Sequence, residues 1–289
     1  MLVIFTDTDC DITPSIAKEY GFELISMPYV VNDKLIKPYV DFDKFEAHKF
    51  YDTLRKGLIP TTCAINPEEY IEYFEPHFAK GDDILYIHFS KAMSGTFNAM
   101  NVALEDLKEK YPERKFYTID TKGITICSYT IVRTIGDMLK QGKTLEEVLK
   151  WSETEVDKYA IYFYADDLTF FRRSGRVSGL AGIMGNLVGI HPIIHMDSDG
   201  VMKNIDKCRG RKQALSKILD NVERLQDDMK NYRITIGSTD AQEVLDLFIQ
   251  MFKERFGDDV KFDLVDVNPT AGSHCGPNGI GICFHAKGR

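Results

Sequence analysis

The strongest constraint on the fold lies at residues 84–98. A nearly unbroken apolar run, Ile84-Leu85-Tyr86-Ile87-His88-Phe89, is followed at once by Ser90-Lys91-Ala92-Met93-Ser94-Gly95-Thr96, and apolar residues then recur at helical spacing from Phe97 to Tyr111. A run without polar alternation reads as a buried strand, as in parallel sheets covered by helices on both faces. A strand that turns straight into a helix draws the chain toward an α/β layer fold, with function carried at the C-terminal ends of the strands. The turn is rich in hydroxyls and opens a helix. It therefore offers unpaired backbone N–H groups and the positive end of a helix dipole, which suits an anion.

The same alternation runs through the first half of the chain. Residues 2–6 read as a strand ending in Asp7-Thr8-Asp9-Cys10-Asp11, and Thr13-Pro14 opens a helix that Gly21 closes. Residues 22–31 read as one second strand, turning at Asn32-Asp33. Phe42, Phe45 and Leu54 suit one face of a helix that stops near Gly57. Residues 60–65 are extended, and Asn66-Pro67-Glu68-Glu69 has the cap, proline and acidic first turn of a helix start. A strand at 115–120, a buried helix at 124–139 and a capping box at Thr144-Leu145-Glu146-Glu147 follow.

After about residue 155 the pattern changes. Residues 159–165 are strand-like, and Gly175-Arg176-Val177-Ser178 leads into a small-residue segment ending at Gly189. Residues 191–196 and 201–206 flank Asp197-Ser198-Asp199-Gly200 as an antiparallel hairpin. Helices at about 210–229 and 241–256 and strands at 233–237, 261–267 and 279–285 complete the chain, with 270–277 read as a turn. These spacings predict two domains: a parallel-sheet α/β domain over 1–155 and an α+β domain with a mixed or antiparallel sheet over 156–289. The segment near 58–80 is expected to be able to pack with the second domain.

Composition narrows the function classes. A chain of 289 residues with 44% hydrophobic and 28% charged residues matches a globular protein with room for two cores. The net charge of -8 disfavours a general binder of nucleic acid or of an acidic membrane surface. No apolar run approaches the roughly 20 residues of a bilayer span, so no integral membrane segment is expected. The N-terminus reads as a first strand and not as a signal peptide. Six cysteines are scattered without a C-x-x-C pair, which points to reduced thiols and a cytoplasmic protein.

Three polar or glycine-rich segments beside apolar strands stand out: Thr61-Thr62, residues 90–96, and residues 274–281. Each hydroxyl taken alone can be a helix cap or turn residue, and His274 alone can be a histidine satisfied by backbone. A Ser94 nucleophile activated by His274 would make an acyl hydrolase or transferase, but Ala92-Met93-Ser94-Gly95-Thr96 lacks the G-x-S-x-G elbow. His274-Cys275 and Cys283-Phe284-His285 match no familiar zinc spacing, so no metal is expected. Gly276-Pro277-Asn278-Gly279-Ile280-Gly281 precedes a strand and is no dinucleotide fingerprint, and a P-loop is absent. Two basic clusters remain, Arg172, Arg173 and Arg176, then Lys207, Arg209, Arg211 and Lys212. They read either as solvated faces or as docking surfaces of a regulatory interaction module.

Taken together, Phe5-Thr6-Asp7-Thr8, Thr62 with Pro67-Glu68-Glu69, residues 90–96, Gly175-Arg176-Val177-Ser178, Asp199-Gly200 with Arg209, and His274-Cys275-Gly276-Pro277 with Gly281 resemble the DegV family of fatty-acid-binding proteins, nearly end to end. The resemblance implies two α/β domains with one long-chain fatty acid between them and no other cofactor. It implies that Thr62, Ser94 and His274 hold the carboxylate, with Thr61, Gly95 and Arg209 in support. It further implies a non-catalytic carrier that presents its ligand to a fatty acid kinase in bacteria that have one. Arg172, Arg173 and Arg176, with Arg209, would then face the kinase. The chain departs from the family pattern at Cys63-Ala64-Ile65, at Thr121-Lys122-Gly123 and at His191.

Overall fold

The computed structural model describes residues 1–178 and 189–289. The small-residue segment at 179–188 lies outside the described residues. The first half is built on a parallel sheet in the order Glu23–Ile25, Leu2–Asp7, Asp83–His88, Phe116–Asp120. Residues 84–86 pair on both sides, and residues 84–88 are buried, as their unbroken apolar pattern requires. The second half carries a seven-stranded mixed sheet. Its order is Asp263–Asp266, Thr235–Ser238, Ile280–His285, Tyr159–Tyr164, Ile190–Met196, Met202–Arg209, Val177–Ser178. The fold class is thus the α/β one expected, with a parallel sheet first and a mixed sheet second.

Several local signals translate directly. Asn66 Oδ1 accepts the Glu69 N–H at 2.8 Å and opens the helix Pro67–Ala79. Thr144 and Glu147 form the reciprocal capping box of the helix Leu145–Glu155. The hairpin over Asp199-Gly200 forms, with a register shift between Ile193 and Ile194. His191 and His195 lie on that strand and not on a helix.

Other expectations fail for identifiable reasons. Residues 22–31 are two strands, not one. Glu23–Ile25 joins the parallel sheet, while Tyr29–Val31 joins a small antiparallel sheet with Lys34–Ile36 and Thr61–Thr62. The chain turns between them, where the Ser26 hydroxyl donates to the Pro38 carbonyl at 2.7 Å and Met27 N–H donates to Thr8 Oγ1 at 2.9 Å. Pro28, lacking an N–H, cannot continue a ladder. Phe42 and Phe45 precede the helix Ala47–Arg55 that was expected to include them. The helix Pro67–Ala79 packs on Thr96–Lys110 and on Asp83–His88 in the first half, whereas Thr61–Thr62 touches the helix Pro269–Cys275 of the second.

The two halves share a continuous apolar core in which Phe5, Phe89 and Ile126 join Ile161, Ile194 and Met202. A second core, with Ile218, Phe248 and Phe284, lies on the other side of the mixed sheet. Polar contacts also bind the halves. Ser90 Oγ donates to the Gly200 carbonyl at 2.8 Å, so the hairpin turn rests on the hydroxyl-rich turn. Gly200 has a φ of 76°, and a Cβ there would fall 2.3 Å from Ser90 Oγ. Gly200→Ala should therefore lower stability by about 2–3 kcal/mol, from the left-handed backbone plus the clash. Urea unfolding checks this, and a midpoint shift no larger than that of Asp199→Ala would contradict it.

Candidate functional site

Three side chains distant in sequence meet at one opening. Thr62 stands on the strand Thr61–Thr62, in register with Tyr29. Its Oγ1 lies 2.9 Å from His274 Nε2 across 212 positions of chain. Ser94 follows the short turn Lys91–Met93 in extended conformation, and its Oγ accepts the Thr96 N–H at 3.2 Å. It thus already meets one of the donors that open the helix Thr96–Lys110.

His274 lies in the last turn of a helix, Pro269–Cys275, where the sequence reads as a turn. That helix is capped by Asn268 and tied to the first half of the chain. Asn268 N–H and Nδ2 donate to Asp11 Oδ1 at 2.8 and 2.7 Å, and the Thr270 hydroxyl donates to the Met27 carbonyl at 2.7 Å. The Tyr51 hydroxyl donates to the Val267 carbonyl at 2.8 Å. Elements of the first half therefore set the position of a second-half histidine.

Thr62, Ser94 and His274 line one cavity, together with Arg176. Behind that opening the lining includes Met27, Phe89, Ile126, Ile161, Phe163 and Val267. Gly237 and Gly281, paired across two strands, also line it. A Cβ at Gly237 would fall 2.5 Å from Ile126 Cγ2, and one at Gly281 would fall 2.8 Å from Phe163 Cβ. Missing side chains on adjacent strands let the helix bearing Ile126 pack closely on the sheet beside the cavity. A largely apolar space with a few convergent polar groups is the form of a small-molecule site.

The electrostatics favour a neutral imidazole. Burial, with the Arg176 guanidinium adding to it, pushes His274 down to about 4. At neutral pH the mouth therefore holds two hydroxyls, an uncharged ring and an exposed arginine. An arriving anion meets donors and no fixed negative charge at this end.

The remaining expected residues divide. Arg176 lines the cavity and also an outer groove with Ala92, Met93, Ser94, Gly95 and Val201. Gly95 belongs to that groove alone; its φ is -72°, and a Cβ there would meet nothing within 4 Å, so no close approach depends on it. Thr61 is exposed and does not line the cavity. Arg209 also stands outside it, its N–H donating to Gln213 Oε1 at 2.9 Å. Arg172 and Arg173 are exposed in the last turn of the helix Leu168–Ser174. Arg211, from the second basic cluster, makes a two-pronged pair with Asp166 at 2.9 and 2.7 Å. His191 is buried against the Tyr164 ring and does not itself line the cavity.

The family model described as "Uncharacterised protein, DegV family" matches residues 1–287. The chain belongs to the DegV family. A DegV domain-containing protein of Clostridium perfringens is 30% identical over 283 residues, covering 98% of this chain and 96% of that one. Among solved structures, a DegV family protein from Thermus thermophilus, described by its fatty acid binding, aligns with a TM-score of 0.85 at 20% identity over 99% of each chain. The Streptococcus pneumoniae fatty acid kinase B3 protein, loaded with linoleic acid, aligns with a TM-score of 0.80 at 18% identity over 99% of this chain and all of that one. These likenesses establish a shared DegV fold.

The one carboxyl among the described lining residues was not singled out by the sequence. Asp9 sits on the turn Thr8–Cys10 after the first strand and lines the cavity. Its signal was the run Asp7-Thr8-Asp9-Cys10-Asp11, three acids in five residues directly after an apolar strand. Solvent-facing acids would have fitted that pattern equally well. Only burial separates the two cases.

Proposed function

We propose that this DegV protein is a non-catalytic carrier of a single long-chain fatty acid. Thr62, Ser94 and His274 hold the carboxylate, and the acyl chain fills the apolar cavity behind them. The observation that carries this reading is the convergence of those three side chains on one largely apolar cavity. Two hydroxyls and an imidazole N–H supply the charge-assisted hydrogen bonds that a carboxylate needs on leaving water. Burial of methylenes, at about 0.8 kcal/mol each, supplies most of the affinity. The fatty acids bound by the Thermus thermophilus and Streptococcus pneumoniae proteins support the same ligand class here.

The site is arranged for holding. The His274 ring faces Thr62, and the Ser94 oxygen is met by a backbone N–H, so the pairing that activates a serine nucleophile is not made. Ser94 and Arg176 also border the outer groove, which leaves the head group open to a partner. That opening suits presentation of the carboxylate to a fatty acid kinase, with Arg172, Arg173 and Arg176 on the approach. Native mass spectrometry of the purified protein, after exposure to C14–C20 acids, tests the reading. One fatty acid per chain is the expected result. A protein that stays empty across the series overturns it.

A further inference from the structure

Apart from Ser94, His274 and Arg176, the lining consists of apolar side chains, threonines, glycines, Cys63, Cys275, Tyr164, whose buried hydroxyl is unpaired among the described residues, and one carboxyl. Asp9 is only 7% exposed, and its Oδ1 has no hydrogen-bond partner among the described residues. Buried polar atoms are almost always paired, so an unpaired carboxyl oxygen on a cavity-lining residue calls for an explanation. Its acidic neighbours do not line the cavity, although Asp11 Oδ2 is likewise unpaired among the described residues. Asp7 accepts from Tyr86, Phe89 and Cys10, and Asp11 accepts from Asn268. Among the described residues, no group of three or more His, Cys, Asp or Glu is arranged to hold a metal ion, so a cation does not explain the cluster.

Two further observations bear on Asp9. Burial and the charges of Asp7 and Asp11 raise its carboxyl well above the usual range, which favours the protonated form, one that can both donate and accept. Beside it, Thr125 lines the same cavity and donates its N–H to the Asp9 carbonyl at 2.8 Å. Thr125 has a φ of 51° and a ψ of -126°, a backbone state that a β-branched residue rarely occupies. Such states persist where the surroundings impose them, and they concentrate at binding sites.

We infer that Asp9 selects acyl chains bearing an oxygen partway along their length, a hydroxyl or an oxo group, by hydrogen-bonding that oxygen inside the cavity. The inference rests on the carrier reading above and adds the class of acid carried. A protonated carboxyl donates to an oxo group and can exchange both kinds of hydrogen bond with a hydroxyl. A plain methylene chain passing the same point leaves the carboxyl unpaired. Sites built to bond a substrate oxygen discriminate against the analogue that lacks it.

The test is a competition assay with stearate, a series of monohydroxystearates substituted at successive carbons, and the matching oxostearates. It uses the wild-type protein, Asp9→Ala and Asp9→Asn. One position in the series should bind at least about tenfold more tightly than stearate. In Asp9→Ala that advantage should fall to within about twofold, with stearate bound as well as before or better. Asp9→Asn, which still donates, should keep part of it. Stearate binding as tightly as every oxygenated isomer to the wild type would sink the inference and leave the carrier standing. Undiminished selectivity in Asp9→Ala would overturn the assignment to Asp9. Binding of none of these acids would remove the carrier reading and this inference with it. Should Asp9→Ala fail to fold, the wild-type series and Asp9→Asn still decide.

Discussion

Thr62→Val combined with Ser94→Ala should weaken long-chain fatty acid binding by about a hundredfold or more while the protein stays folded. Each hydroxyl contributes one charge-assisted hydrogen bond to a carboxylate, about 1.5–3 kcal/mol apiece, and every 1.4 kcal/mol is tenfold in affinity. The pair shares one ligand oxygen set, so the effects are not expected to add fully. Binding will not vanish, because the acyl chain still leaves water. Stability should change little. Thr62 is a half-buried residue on a two-residue strand, and loss of Ser94 Oγ frees only the Thr96 N–H, a cap-like loss of about 1 kcal/mol. Displacement of a fluorescent fatty acid measures the first effect and thermal melting the second. Full affinity in a folded double variant would refute the site.

Asp7→Ala should be the most damaging single change to stability, lowering it by about 3–5 kcal/mol. Asp7 ends the first strand, fully buried, and serves three donors: Cys10 N–H at 3.1 Å, the Tyr86 hydroxyl at 3.0 Å and Phe89 N–H at 3.3 Å. Alanine strands all three, and Phe89 lies directly before the Ser90 turn, so the loss should reach the cavity. Asp7→Asn retains acceptor capacity and should cost much less.

The pH dependence of that milder variant is a further check. Burial raises Asp7 to about 6, above the usual 3.8. The folded state therefore holds a proton that the unfolded chain releases between these values. The resulting stability is present below about pH 4 and is lost as pH rises through 6. The wild type should thus lose about 1 kcal/mol relative to Asp7→Asn between pH 5 and 8. His274, lowered to about 4, acts in the opposite sense: its share is present above about 6.5 and lost as pH falls. Comparing the wild type with Asp7→Asn cancels that share. Urea midpoints for both proteins across the range give the slope, and a constant difference would show that Asp7 is not protonated in the fold.

Much of the fold was legible because its signals are local. The buried strand at 84–88 needs only an unbroken apolar run, and the starts at Asn66 and Thr144 need only a cap, a proline or a glutamate in the first turn. The helix Pro269–Cys275 was not legible, because Thr-Ala-Gly-Ser is a weak helix former that Asn268, Asp11 and Tyr51 hold in place from outside. A Cβ at Gly272 would fall 2.5 Å from the Tyr51 hydroxyl, so its smallness serves packing across the halves, not the helix itself. The split of residues 22–31 between two sheets was hidden for a similar reason: both pieces are apolar, and only pairing assigns them to different partners.

At residues 84–98 the sequence alone determined a buried strand, a hydroxyl-rich turn and a helix start, since apolar period and capping chemistry act within a few residues. It also supplied the kinds of residue that can hold an anion. Tertiary structure decided that Ser94 shares a cavity with Thr62 and His274, that Gly95 stays outside it, and that Asp9 is buried in its wall with a carboxyl oxygen unpaired among the described residues. Those outcomes depend on contacts across as many as 257 positions, and on which polar groups lose their water when two sheets close over one core.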